Sequence, residues 1–175
     1  MHRTAVPALK ALAGPELLSL ADAAFATGDR EHLTLVWLEL ARRRRRRHAL
    51  ALSRRMARQG ITPIPWLTLA RDVLLHFRPS GRGTHHLYFV LLGGYGRDGN
   101  EYGIYVGETA RRPEIRIEQH KRGIRDSGAV RRRGLQLLVS VGPHLSPLAR
   151  AEAKRLEREI AAALQDAGIR VKGGH

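Results

Sequence analysis

Five residues in the second half of the sequence carry groups that move protons or hold charge: Tyr88, Tyr105, Arg116, His120 and Glu157. Arg116 and His120 are four apart in the run Ile115 to Gly123, so a helix there projects both from one face. Tyr88 and Tyr105 fall on neighbouring extended segments, and paired antiparallel strands bring such side chains close together. Two phenols, a guanidinium and an imidazole then surround one point. Glu157 shares the i, i+3, i+4, i+7 spacing of Ala153, Ile160, Ala161 and Leu164 on a late helix, whereas Glu152 and Glu159 share a face with Arg155 and Asp166. A carboxylate turned toward an apolar face is costly unless it is paired or holds a metal, so Glu157 reads either as a partner of Arg116 or another arginine, or as a metal ligand.

The elements that must hold these groups change character near residue 84. Residues 1–83 read as helical: Pro15 opens a helix that closes at Gly28, a longer one runs from about Arg30 to Arg58 with Leu33, Val36, Trp37 and Leu40 on one stripe, and a third covers Pro65 to Phe77. The segment Arg78 to Thr84, with Pro79, Gly81 and Gly83, reads as a linker. Beyond it, Leu87 to Leu92 suits a buried strand, Gly93 to Gly103 a glycine-rich turn region and Ile104 to Gly107 the start of a second strand. Pro113 opens a helix that ends by Gly123, Leu135 to Val141 reads as a third strand, and a last helix begins behind Ser146 and Pro147 and ends at Gly168. Residues 84–175 are therefore expected to form an α+β unit behind an all-helical, arginine-rich extension, residues 1–83.

Composition narrows the partners. The 175 residues include 31 Lys+Arg against 16 Asp+Glu, a net charge of +15 that suits a polyanion. Only Lys10, Lys121, Lys154 and Lys172 are lysines, and arginine's fork grips phosphate oxygens in pairs. Arg111, Arg112, Lys121, Arg122, Arg125, Arg131, Arg132 and Arg133 lie near the five residues in sequence and are expected to contact phosphates; Arg42 to Arg47 offers a second basic tract in the extension. Cysteine is absent, which excludes disulfides, thiolate metal sites and thiol nucleophiles. Pro7, Lys10, Gly14, Pro15 and Glu16 interrupt the first 20 residues, so no signal peptide or membrane span is expected and the chain reads as soluble and cytoplasmic. Trp37 and Leu40 are candidates for burial between two copies, which would make a homodimer through the N-terminal helices.

Taken in order, these residues resemble the GIY-YIG nuclease family over roughly Thr84 to the C-terminus. The YIG element matches as Tyr105-Val106-Gly107, followed by Glu108-Thr109, and the GIY element as His86-Leu87-Tyr88; Arg116 and His120 match in RIEQHKRG, and Glu157 in RLEREI. The resemblance implies a small three-stranded antiparallel sheet flanked by helices. It also implies a divalent-metal-dependent endonuclease that hydrolyses DNA phosphodiester bonds, a hydrolase using Mg²⁺ or Mn²⁺. Glu157 would bind the metal, Arg116 would neutralise phosphate charge, Tyr88 or Tyr105 would be base or water-positioner, and His120 would bond phosphate or a tyrosine. Gly107 and Thr109 would border the substrate. The sequence departs from the family pattern at Glu108, where a basic residue is common, and in the longer loop from Phe89 to Ile104. The alternative is a non-catalytic DNA- or RNA-binding protein that keeps the nuclease fold.

Overall fold

The computed structural model describes residues 8–80, 83–96, 101–124 and 127–174. They divide into two compact units, Met1–Leu67 and Thr68–His175.

The first unit is helical. Behind a 3-10 turn at Leu9–Ala11 come α1 (Gly14–Thr27), α2 (Arg30–Arg42) and α3 (Arg46–Arg58). Pro15 lies in the first turn of α1, Gly28 ends it in the left-handed region at φ 68°, and Asp29 caps α2 by accepting the His32 N–H at 3.2 Å. Leu17, Ala21 and Ala24 of α1, Leu33, Val36 and Leu40 of α2, and Ala49, Leu52 and Met56 of α3 form one core, with Trp37 packed against it. The two residues expected between subunits thus serve the unit's own interior.

The single helix expected over Arg30 to Arg58 is two helices, broken at Arg43–Arg45, where Arg44 adopts φ 56°. Consecutive arginines repel along a continuous helix, and the corner separates them while giving two of them fixed partners. Arg42 donates to both oxygens of Glu39 at 2.6 and 2.8 Å. Arg43 donates to Glu39 at 2.6 Å and to the carbonyls of Leu12, Leu9 and Lys10 at 2.7, 2.9 and 3.1 Å. The Arg42 hydrogen bond does most to hold the buried Glu39 carboxyl down at about 2, burial opposes it, and Arg43 adds to the lowering. A lowered carboxyl stabilises the fold above the ordinary carboxylate pKa and loses that contribution as pH falls through its folded value. Glu39→Gln should therefore cost the first unit about 1–2 kcal/mol at neutral pH, the range for charged hydrogen bonds with a half-exposed partner. In paired urea titrations the gap between the two proteins should close as pH approaches 2.

From its second residue onward α4 (Leu67–Leu74) belongs to the second unit, and it is shorter than the Pro65–Phe77 helix expected. The division falls ahead of the 83/84 boundary because α4 lies with the later elements: a Cβ built on Gly142 would fall 2.7 Å from Leu74, 2.9 Å from Leu145 and 3.0 Å from Phe89. Then follow β1 (His86–Tyr95), β2 (Glu101–Thr109), α5 (Pro113–Lys121), α6 (Gly128–Arg133), β3 (Gly134–Leu137), a 3-10 turn at Pro143–Leu145, α7 (Arg150–Asp166) and β4 (Val171–Gly173).

The α+β class holds, but the sheet is not three-stranded and antiparallel. It has four strands in the order β3-β1-β2-β4, antiparallel except for β4, which runs parallel to β2. Three residues after the last helix are too few to show alternation, so this strand leaves little trace in the pattern. Its close fit depends on Gly173, at φ 88°, where an added Cβ would meet the Val106 carbonyl oxygen at 1.9 Å. The third strand is also shorter than the expected Leu135–Val141, and Val139 to Val141 bend away after it. β1 is buried almost throughout, as its continuous apolar run requires when helices cover both faces. Tyr88, Val90 and Leu92 of β1 and Tyr105 of β2 pack with Ile117 of α5 and Val130 of α6, while α7 packs along β2 and β4.

Candidate active site

The β1–β2 register sets Tyr88 opposite Gly107 and Val90 opposite Tyr105. Tyr88 and Tyr105 are therefore diagonal neighbours on one face of the hairpin. α5 rises from Pro113 behind that face and turns Ile117 and His120 inward. The three rings form a near-equilateral triangle, with centroids 5.9 Å apart for Tyr88–Tyr105, 6.2 Å for Tyr88–His120 and 5.9 Å for Tyr105–His120. Gly107 makes room for this. A Cβ there would lie 2.6 Å from the Tyr88 Cζ and hydroxyl and 2.7 Å from Tyr105 Cε1.

The hydrogen bonds assign the imidazole's proton. The Ser127 N–H donates to His120 Nδ1 at 2.8 Å, so that nitrogen carries a lone pair. His120 is then neutral, with its hydrogen on Nε2, and Nε2 donates to the Tyr88 hydroxyl oxygen at 2.8 Å. Burial first, then the Tyr105 hydroxyl, pushes the Tyr88 phenol above its ordinary pKa, and Arg116 pulls in the opposite direction. Tyr88 therefore keeps its proton, and Tyr105 is the more exposed of the two phenols. Arg116 sits at the edge of the cluster, near enough for its charge to act on Tyr88, and 3.5 Å from Gln119 Oε1.

Glu157 keeps different company. Its side chain is buried, and its pKa is raised to about 7 by burial and then by the Glu108 charge, with the Gly174 N–H, Lys154 and Arg158 partly offsetting these. Strand alternation puts Glu108 on the face of β2 opposite Tyr105, and Glu108 accepts from His85 Nδ1 at 2.6 Å. The structure thus brings Tyr88, Tyr105, Arg116 and His120 together, and places Glu157 apart from them, within reach of the Glu108 charge. Tyr105 and Glu108 are three residues apart on one strand, about 10 Å along it, and their side chains leave it on opposite faces.

The remaining expected contacts divide into exposed and engaged residues. Arg111, Arg112, Lys121, Arg122, Arg131, Arg132 and Arg133 are exposed, and Arg125 lies outside the described residues. Arg112 is 3.8 Å from Glu114, and Arg133 donates to the Gly94 carbonyl and lies 4.5 Å above the Tyr95 ring, so it holds the hairpin's far end. Thr109 is buried, and its hydroxyl accepts the Arg111 N–H at 3.0 Å, fixing the turn into α5. Sequence reasoning missed Ser127, the residue that fixes the His120 tautomer. Its side chain caps α6 by accepting the Val130 N–H, and that N-cap signal in SGAV was available to find it.

Among the described residues no group of three or more His, Asp or Glu is placed to hold a metal. The donor set still fits a hard cation. Glu157, whose charge burial and Glu108 disfavour, offers a carboxylate oxygen of the kind taken by an ion that fills the rest of its shell with water and phosphate oxygens, as Mg²⁺ and Mn²⁺ do. Among the described residues no helix is long and apolar enough to cross a membrane. No protein-family model, no curated protein and no solved structure matches the chain.

Proposed function

We propose that the second unit hydrolyses nucleic-acid phosphodiester bonds, DNA foremost, as a GIY-YIG-type endonuclease that uses Mg²⁺ or Mn²⁺. The observation that carries this reading is the ring triangle around Gly107 with Arg116 at its edge. Arg116 offers its fork to the non-bridging oxygens of the scissile phosphate, where negative charge grows in the transition state. Tyr105, the more exposed phenol, orients the attacking water through its hydroxyl oxygen. Tyr88 donates its retained proton within the cluster, and neutral His120 positions Tyr88 rather than meeting phosphate as a cation. Water's oxygen bonds to phosphorus as the water releases a proton to solvent, the bond to the leaving oxygen breaks, and that oxygen takes up a proton from solvent. Glu157, with Glu108 beside it, would hold the divalent cation, which when bound polarises the phosphate and stabilises the leaving oxygen.

Relaxation of supercoiled plasmid in Mg²⁺ or Mn²⁺ tests the ring cluster. Arg116→Gln should slow nicking by about 100-fold or more, the loss typical of removing one transition-state donor. Tyr105→Phe should slow it by a comparable factor without changing DNA binding. Equal rates in wild type and both variants reject the assignment. A second reading rests on the proton that Tyr88 keeps and on Glu157 facing Glu108: the unit would then bind nucleic acid without cutting it. Salt-sensitive binding with no nicking in either metal is the result that favours it.

A further inference from the structure

The first unit carries a basic surface that the site in the second unit does not use. Its five acidic side chains, Glu16, Asp22, Asp29, Glu31 and Glu39, are all engaged. Glu16 accepts from the Ala13 N–H, Asp22 pairs with Arg55, Asp29 caps α2, Glu39 holds Arg42 and Arg43, and Glu31 is fully buried with partners of its own. No acid is left to neutralise the arginines beyond them.

α3 shows where those arginines point. It buries a narrow stripe, Ala49, Leu52 and Met56. At 100° per residue, Arg47, Arg54 and Arg58 fall within one narrow arc on the opposite side, at positions i, i+7 and i+11, and all are exposed. Their side chains make no hydrogen bond or ion pair with any described residue. The exposed Leu50, Ala51 and Ala57 flank them, and Arg44, Arg45 and Arg46 continue the exposed charge at the helix start. This orientation is itself unusual for a helix, since cations at an N-terminus oppose its dipole unless an anion sits nearby.

We propose that α3 docks on the phosphate backbone of a nucleic-acid duplex through Arg47, Arg54 and Arg58. The three lie on one straight line about 16 Å long, which suits a stiff and regular row of phosphates. The stripe has no aromatic platform for unstacked bases, which argues for a duplex over a single strand. It also lacks Asn, Gln and acidic side chains that read base edges beside arginine, so binding here is independent of sequence. The proposal does not rest on phosphodiester cleavage by the second unit.

Fluorescence anisotropy tests it, using the full chain, a labelled 30-base-pair DNA duplex of mixed sequence, EDTA to prevent cleavage, and a sodium chloride series. The triple variant Arg47→Gln, Arg54→Gln, Arg58→Gln should bind at least about tenfold more weakly, and the slope of log affinity against log salt should shrink by about 2–3, near 0.9 per lost phosphate contact. A control triple, Arg71→Gln, Arg78→Gln, Arg155→Gln, removes the same charge from the second unit and should leave the slope within about one unit of wild type. Replacing the stripe arginines with lysine should preserve the slope, which separates lost contacts from a disturbed helix. Wild-type binding by the glutamine stripe variant, equal losses in both triples, or loss of the slope in the lysine triple overturns the proposal.

Discussion

Gly107→Ala should destabilise the second unit by about 2–3 kcal/mol and lower any nicking rate by at least about 100-fold. The new Cβ would stand 2.6 Å from the Tyr88 Cζ and hydroxyl and 2.7 Å from Tyr105 Cε1, well inside contact distance. Neither ring has an easy retreat. Tyr88 is tied to His120 at 2.8 Å, His120 is tied to the Ser127 backbone at 2.8 Å, and both phenols are buried against Ile117 and Val130. Relieving the clash therefore displaces the ring cluster as a unit. Gly14→Ala provides the contrast, because a Cβ at Gly14 meets nothing within 4 Å, and its effect should stay within about 1 kcal/mol. Urea unfolding followed by near- and far-ultraviolet circular dichroism reads both, and equal stability of the two variants would contradict the close packing.

Glu157 should make stability depend on pH and on divalent metal. Its folded carboxyl is raised from an ordinary value of 4.5 to about 7, by burial first and Glu108 second. A raised carboxyl binds its proton more tightly in the folded protein. Its destabilising contribution is absent below the unfolded value of about 4.5, grows as pH rises toward 7 and is complete above that. Glu157→Gln removes the ionisation, so at pH 8 the variant should be more stable than wild type by about 1–2 kcal/mol, a shift reduced by screening from its cationic neighbours. At pH 4 the two should converge. Millimolar Mg²⁺ should recover the wild type at pH 8 and leave the variant unchanged, since a ligand stabilises only the state that binds it. Thermal melts at the two pH values, with and without Mg²⁺, give both comparisons.

The ring cluster was legible because it depends on local geometry. Hairpin pairing sets Tyr88 beside Tyr105, and helical spacing sets Arg116 above His120; both relations survive in the structure. What could not be read depended on partners distant in sequence. The break at Arg43–Arg45 comes with the anchoring of Arg43 to carbonyls more than 30 residues earlier, so periodicity alone continued the helix. β4 is three residues long, and its place beside β2 depends on a glycine that lets backbone meet backbone. Helical spacing turned Glu157 inward correctly, yet its neighbour Glu108 lies on a separate strand and entered only as a departure from a family pattern. Six arginines in a row looked like one tract, but the fold uses two of them internally and leaves the outward stripe to Arg47, Arg54 and Arg58.

On the proposed mechanism a carboxylate-held divalent cation and the ring cluster act on one phosphodiester bond. The most direct measurement is the initial rate of supercoiled-plasmid nicking against Mg²⁺ concentration for the full chain and for Glu157→Gln. Saturable, EDTA-reversible nicking by the wild type and a loss of at least about 100-fold in the variant is the expected result. A variant that nicks at the wild-type rate, with the same dependence on Mg²⁺, would contradict it.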